Sequence, residues 1–188
     1  MPTPEHGVAA GSLGKEVTLE ISMMGHGLGS AIKMSAGSGV RRDGTGKDTD
    51  LAWALKRRFR GADAVQRQYT VTVEAAVSET ADKLKRDVDF WLNPATGNTN
   101  MVITMKISRR LALIDIKTWV LVGSRPHCDQ SVLISKDKKG KIRITAPLRM
   151  PFESIFDRPS SISGRKDIYL SEARLENIAE DIWEEQEI

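Results

Sequence analysis

The clearest pattern in the chain is the alternation through Tyr69-Thr70-Val71-Thr72-Val73-Glu74-Ala75-Ala76, β-branched and aromatic at first and ending beside an acid, which predicts a β-strand. Ser78 then suits a helix N-cap, and Ala81, Leu84, Val88, Trp91 and Leu92 recur at helical spacing. Asn93 to Asn98 reads as a turn. The mostly apolar run Met101 to Ile107 predicts a central strand, followed through a tight turn at Ser108 to Arg110 by an antiparallel strand over Leu113 to Val122. Ser131 to Ser135 and Lys141 to Thr145 predict a hairpin around a basic turn. A short strand over Asp167 to Leu170 leads into a last helix, capped by Ser171, with Leu175, Ile178, Ala179 and Ile182 as its apolar stripe.

The first third is less regular. Residues 1–14 read as a flexible leader rich in Gly, Ala and Pro, ahead of a domain over 15–188. Lys15 to Met24 predicts a short helix stopped at Gly25, and Ala31 to Ser35 a strand. The glycines at 37, 39, 44 and 46 suggest a loose connection to a further strand beginning at Asp48. Residues 54–68 read as a basic loop or short helical turn. Together these elements predict an α/β or α+β fold, one mixed sheet flanked by helices, with an added hairpin and a C-terminal helix over 171–188.

Composition narrows the class. At 188 residues, 40% hydrophobic and 28% charged, the chain suits one globular domain. Cys128 is the only cysteine, which rules out an intramolecular disulfide and a cysteine-based zinc cage and fits a reducing compartment. With no leader pattern and no apolar run of membrane-spanning length, the expected place is intracellular, in cytoplasm or nucleus, without membrane contact. Net charge is +3, but residues 172–188 carry seven acids against Arg174, so the body before them is at +9. A basic body suits phosphate binding, though such an excess is common in proteins that never meet nucleic acid.

Asp50, at the head of one strand, and Glu74, near the end of the next, are the candidate chemistry. Two carboxylates from adjacent strands can converge on a hard cation such as Mg²⁺, although most strand acids are simply exposed or ion-paired. Other candidates are weaker. His6, His26 and His127 lack ligand spacing, Ser78 and Ser171 are better helix caps than nucleophiles, and the early glycines match neither phosphate-binding fingerprint. Trp53, Trp91, Trp119 and Trp183 fall on core periodicity, and Cys128 shows no sign of activation.

The collinear stretches Gly46-Lys47-Asp48-Thr49-Asp50, Thr72 to Thr80 with Glu74 at its heart, and Leu84 to Leu92 resemble a family of uncharacterised fungal proteins. The likeness continues through Val102 to Ile107, Ile114 to Trp119, Pro151 to Pro159 and Asp167 to Leu170. The whole is similar to the restriction-endonuclease-like core of the PD-(D/E)XK nuclease superfamily. The resemblance implies that Asp50 and Glu74 bind Mg²⁺ or Mn²⁺, with the Ala75 carbonyl as a third oxygen, and that a phosphodiester is cleaved. It also implies a lysine two positions after Glu74, where this chain has Ala76, and a proline before Asp50, where it has Thr49. Lys83 and Lys85 on the following helix, and Lys106 in the apolar strand, are the candidate replacements. Each also reads plainly as a surface or paired charge. Glu16 and Glu20 on the first helix are possible further acids, though helix acids are usually solvated.

Three functions remain open. The first is a metal-dependent nuclease acting on DNA or RNA, with Lys56, Arg57, Arg58 and Arg60 tracking the phosphate backbone. The second is an inactive relative that binds nucleic acid or protein without cleavage, favoured by Ala76 and Thr49. The third is an interaction module whose acidic last helix, with Trp183, docks on a protein partner or a second copy.

Overall fold

A strand buried on both faces must be covered on both, and β3 (Val71–Ala76), buried at all six positions, lies in the middle of the sheet. The computed structural model describes residues 4–25, 27–42, 44–56, 67–77, 81–157 and 166–188. Its seven-stranded sheet runs in chain order: β1 (Ile32–Arg42), β2 (Thr45–Leu55), β3, β4 (Met101–Ile107), β5 (Leu113–Val122), β6 (Arg125–Lys136) and β7 (Ile142–Ile144). Neighbours are antiparallel except β3 and β4, which are parallel and joined by a crossover through α3 (Ala81–Leu92). This single crossover makes the sheet mixed. A two-stranded sheet of β8 (Leu148–Met150) and β9 (Ile168–Leu170) sits apart.

The two faces have separate cores. On one, α1 (Pro4–Met23) and α5 (Glu172–Glu185) pack with α4 (Phe152–Phe156) over Leu51, Val73 and Ile103. On the other, α3 brings Val88, Trp91 and Leu92 onto Ala52, Ala54 and Val102. Short α2 (Leu28–Ala31) leads into β1.

The supposed leader is not loose. Ala9, Leu13, Val17 and Ile21 recur every four residues and are fully buried, so apolar burial draws Pro4–Met23 into one helix despite its glycines. Gly14 allows a close approach there: a Cβ at this position would stand 2.8 Å from Leu51 Cδ2 and 2.9 Å from Met34 Sδ, so the ends of both side chains would have to shift. The glycine-rich stretch after residue 35 is likewise no loose connection. It belongs to an 11-residue strand paired from Ile32↔Leu55 to Arg42↔Thr45, because ladder hydrogen bonds outweigh the poor strand propensity of glycine. The predicted hairpin strand at 131–135 extends back to Arg125, and β8 and α4 had no expectation. The strands at 101–107 and 113–122 run as expected, and the Ser171 side chain caps α5 by accepting from the Arg174 N–H.

Two expectations concerning α1 and α5 change. Glu16 is buried and Glu20 half-buried, and both are held by Arg174 of α5, with Glu16 Oε2 2.5 Å from Nη1, on the face opposite α3. Trp183 is buried in the chain's own core and presents no docking surface. No described helix is long and apolar enough to cross a membrane.

Candidate active site

The β2–β3 ladder is paired at Trp53↔Val71, Ala52↔Thr72 and Leu51↔Val73, leaving Asp50 beside the next part of β3. There the Ala75 N–H donates to Asp50 Oδ2 at 2.7 Å, in place of a strand-to-strand bond. Thr49 Oγ1 donates to the Val73 carbonyl at 2.8 Å, so alternate backbone groups of β3, those of Val73 and Ala75, face β2. Both Asp50 and the backbone of Ala75 are thereby aimed at one spot between the strands. The threonine that replaces the expected proline carries this contact.

Glu74 projects on the α3 face and is 6% exposed. Trp91 Nε1 donates to its Oε1 at 2.5 Å, and the Lys47 ammonium lies 3.4 Å from its Oε2. Lys47 also reaches Asp87 Oδ1 at 3.0 Å. Burial, with smaller help from Asp50 and Asp87, pushes the Glu74 carboxyl up to about 7 against the pull of Lys47 and the Trp91 hydrogen bond. Lys47 is raised above its ordinary value: burial is the largest single influence and lowers it, but Glu74 and Asp87 together outweigh burial. The site is thus a cluster of three acids and one lysine, buried at Glu74 and Asp87 and half-buried at Lys47 and Asp50, oriented by an indole and a backbone N–H.

Sequence reasoning did not single out Lys47 or Asp87. Asp87 had a signal, for it falls three residues after Leu84 and four before Trp91, an acid on the apolar stripe of its helix. Lys47 had none. A two-residue period along β2 puts it on the side of Leu51, which faces α1, away from Glu74. Its partner across the hairpin, Val40, nevertheless packs with Trp91, whereas Ile32, eight residues earlier in β1, packs on the α1 side. The alternation changes at Gly37, whose φ of 57° lies in the left-handed region, and the end of the hairpin turns its Lys47 side over α3.

Lys83 and Lys85 are exposed on α3. Lys106 is exposed on β4, paired with Ala76 and Asp115 across its two neighbours, one step beyond the Glu74↔Thr104 pair. Lys85 and Lys106 line a cavity between α3 and the sheet. Lys56 is half-buried, its N–H donating to the Ala31 carbonyl at 2.8 Å, while Arg57, Arg58, Arg60 and Ser78 lie outside the described residues. For Cys128, burial is the largest effect and pushes the thiol up, away from an activated thiolate.

The chain is similar over 97% of its length to the crystal structure of a candidate nuclease of DUF820 from Anabaena variabilis ATCC 29413, covering 84% of that protein, with a TM-score of 0.51 and 8% identity. The fold is restriction-endonuclease-like. No protein-family model and no curated protein matches the sequence. At 8% identity the likeness is one of fold.

Proposed function

We propose that this protein is a metal-dependent phosphodiester hydrolase acting on DNA or RNA. The observation that carries the reading is the convergence of Asp50 and Glu74 from neighbouring strands, with the Lys47 ammonium 3.4 Å from Glu74. Oxygen donors of this kind suit Mg²⁺ or Mn²⁺, which use one or two carboxylates and keep several waters. The proposed donor set is Asp50, Glu74 and the Ala75 carbonyl, completed by water, although among the described residues no group of three His, Cys, Asp or Glu side chains is placed to hold a metal. A buried carboxyl held near 7 fits a position that gains a cation.

The bound ion supplies water activation and stabilises phosphoryl charge. The chain's own residues hold that chemistry in place. The Ala75 N–H orients Asp50, and the Trp91 indole orients Glu74. Lys47 favours the ionised form of Glu74 against burial, and Asp87 holds Lys47 there. Lys47 brings to the site from β2 the positive charge that the superfamily resemblance places at position 76 on β3, where it would offset charge developing on the phosphate.

A second reading rests on the same pair. Both Glu74 oxygens already have partners in Trp91 and Lys47, an arrangement that also suits a non-cleaving nucleic-acid-binding fold in which the ammonium stands in for a cation. Incubating the protein with plasmid DNA and with RNA, in Mg²⁺, Mn²⁺ or EDTA, separates the two. Metal-dependent cleavage lost in Asp50→Asn and Glu74→Gln supports the hydrolase. No cleavage by folded wild type under any metal condition leaves the binding fold.

A further inference from the structure

A second feature lies on the Glu74 face of the sheet. Glu74, Thr104 and Lys117 form a row of cross-strand partners over β3, β4 and β5, so Lys117 stands two strand spacings, about 10 Å, from Glu74. Beyond Glu74 this row borders a cavity of about 560 Å³ between α3 and β4–β6, roughly mid-range for small-ligand pockets. Its apolar wall is Leu84, Val88 and Trp119. The indole of Trp119 is fixed, because its Nε1 donates to Thr104 Oγ1 at 3.0 Å, and Thr104 is the strand partner of Glu74.

The rim carries both signs of charge rather than cations alone. Lys106, Lys117 and Arg125 line it together with Asp89 and Asp115, and Lys117 is paired to Asp115 at 2.9 Å. Carboxylates repel a bare phosphodiester but accept hydrogen bonds from the exocyclic amines and ring N–H groups of nucleobases. An aromatic wall with both donors and acceptors at its edge is what an unstacked base requires.

We propose that this cavity binds the base of a nucleotide next to the scissile phosphate, so that the substrate is single-stranded or locally unpaired nucleic acid. The proposal rests on the hydrolase reading for the position of the cut but not for binding, which is measured without metal. Trp119 is the anchor, and Lys106 and Arg125 hold the flanking phosphates.

The test is fluorescence anisotropy of the full chain in EDTA, with short labelled DNA and RNA single strands, the corresponding duplexes, and a single strand made abasic throughout. The expected result is tighter binding of the single strand than of the duplex. Removing the bases is expected to weaken binding roughly 5- to 100-fold, with Trp119→Ala giving a similar loss and Trp119→Phe recovering most of it. The DNA and RNA arms tell which sugar is preferred. Equal affinity for the abasic strand, or for duplex and single strand, overturns the proposal, and neither comparison depends on a variant folding. Base-independent binding alongside Asp50-dependent cleavage sinks this inference and leaves the hydrolase. Base-dependent binding without cleavage under any metal does the reverse.

Discussion

The Lys47 ammonium lies 3.4 Å from Glu74 Oε2, although a regular two-residue period along β2 would send their side chains to opposite faces of the sheet. The contact exists because the hairpin changes face at Gly37, and it places a cation where β3 offers only Ala76. The behaviour of the site follows from this pair.

Lys47→Met removes the charge that pulls Glu74 down, leaving burial and the neighbouring acids to raise it further. Cleavage is expected to fall roughly 100-fold, and the acidic limb of the pH–rate profile to move to higher pH. A variant with wild-type rate and profile would show that Lys47 is only a surface charge. Lys138→Met serves as the comparison, since Lys138 is exposed in the turn between β6 and β7.

The folded-state value of about 7 for Glu74 stands above its ordinary 4.5, so the folded protein keeps a proton that the unfolded chain releases. This contribution to stability is whole below pH 4.5 and is lost as pH rises through about 7, a change of about 3 kcal/mol. Urea denaturation of metal-free protein from pH 4.5 to 8 should show the decline. In Glu74→Gln, which cannot titrate, the same series should be flatter.

Metal binding must displace that proton. Below pH 7 the affinity for Mg²⁺ or Mn²⁺ is expected to rise with pH, approaching about tenfold per pH unit, and to level off above it. Calorimetry in two buffers of different ionisation enthalpy measures the proton released. An affinity independent of pH between 5 and 7 would remove Glu74 from the metal site.

Trp91→Phe keeps an aromatic ring against Tyr69 and Phe90 but deletes the N–H that meets Glu74 Oε1. The unpartnered oxygen is expected to cost about 1–3 kcal/mol. A double-mutant cycle with Glu74→Leu, followed by urea denaturation, isolates the pair, and a coupling near zero would show that the indole merely fills space.

On the opposite face, Arg174→Met leaves buried Glu16 without its cation. Stability is expected to fall by about 3 kcal/mol, while cleavage under folding conditions stays near wild type, since α1 and α5 pack away from α3. A selective loss of activity without loss of stability would contradict this separation of the two faces.

Local pattern by itself determined the strands from Val71 to Val122, helix α3 and the Ser171-capped helix, because alternation, helical spacing and caps act between residues close in sequence. It also marked Asp50 and Glu74 as acids on neighbouring strands. Tertiary structure decided the rest. A glycine-bearing N-terminal segment became a helix because it has a core to cover, and a glycine-rich stretch became a strand because β2 pairs with it. The cation at Glu74 was beyond local reading, since Lys47 arrives through a change of face in a hairpin 27 positions away, and contacts of that kind follow from packing rather than from spacing along the chain.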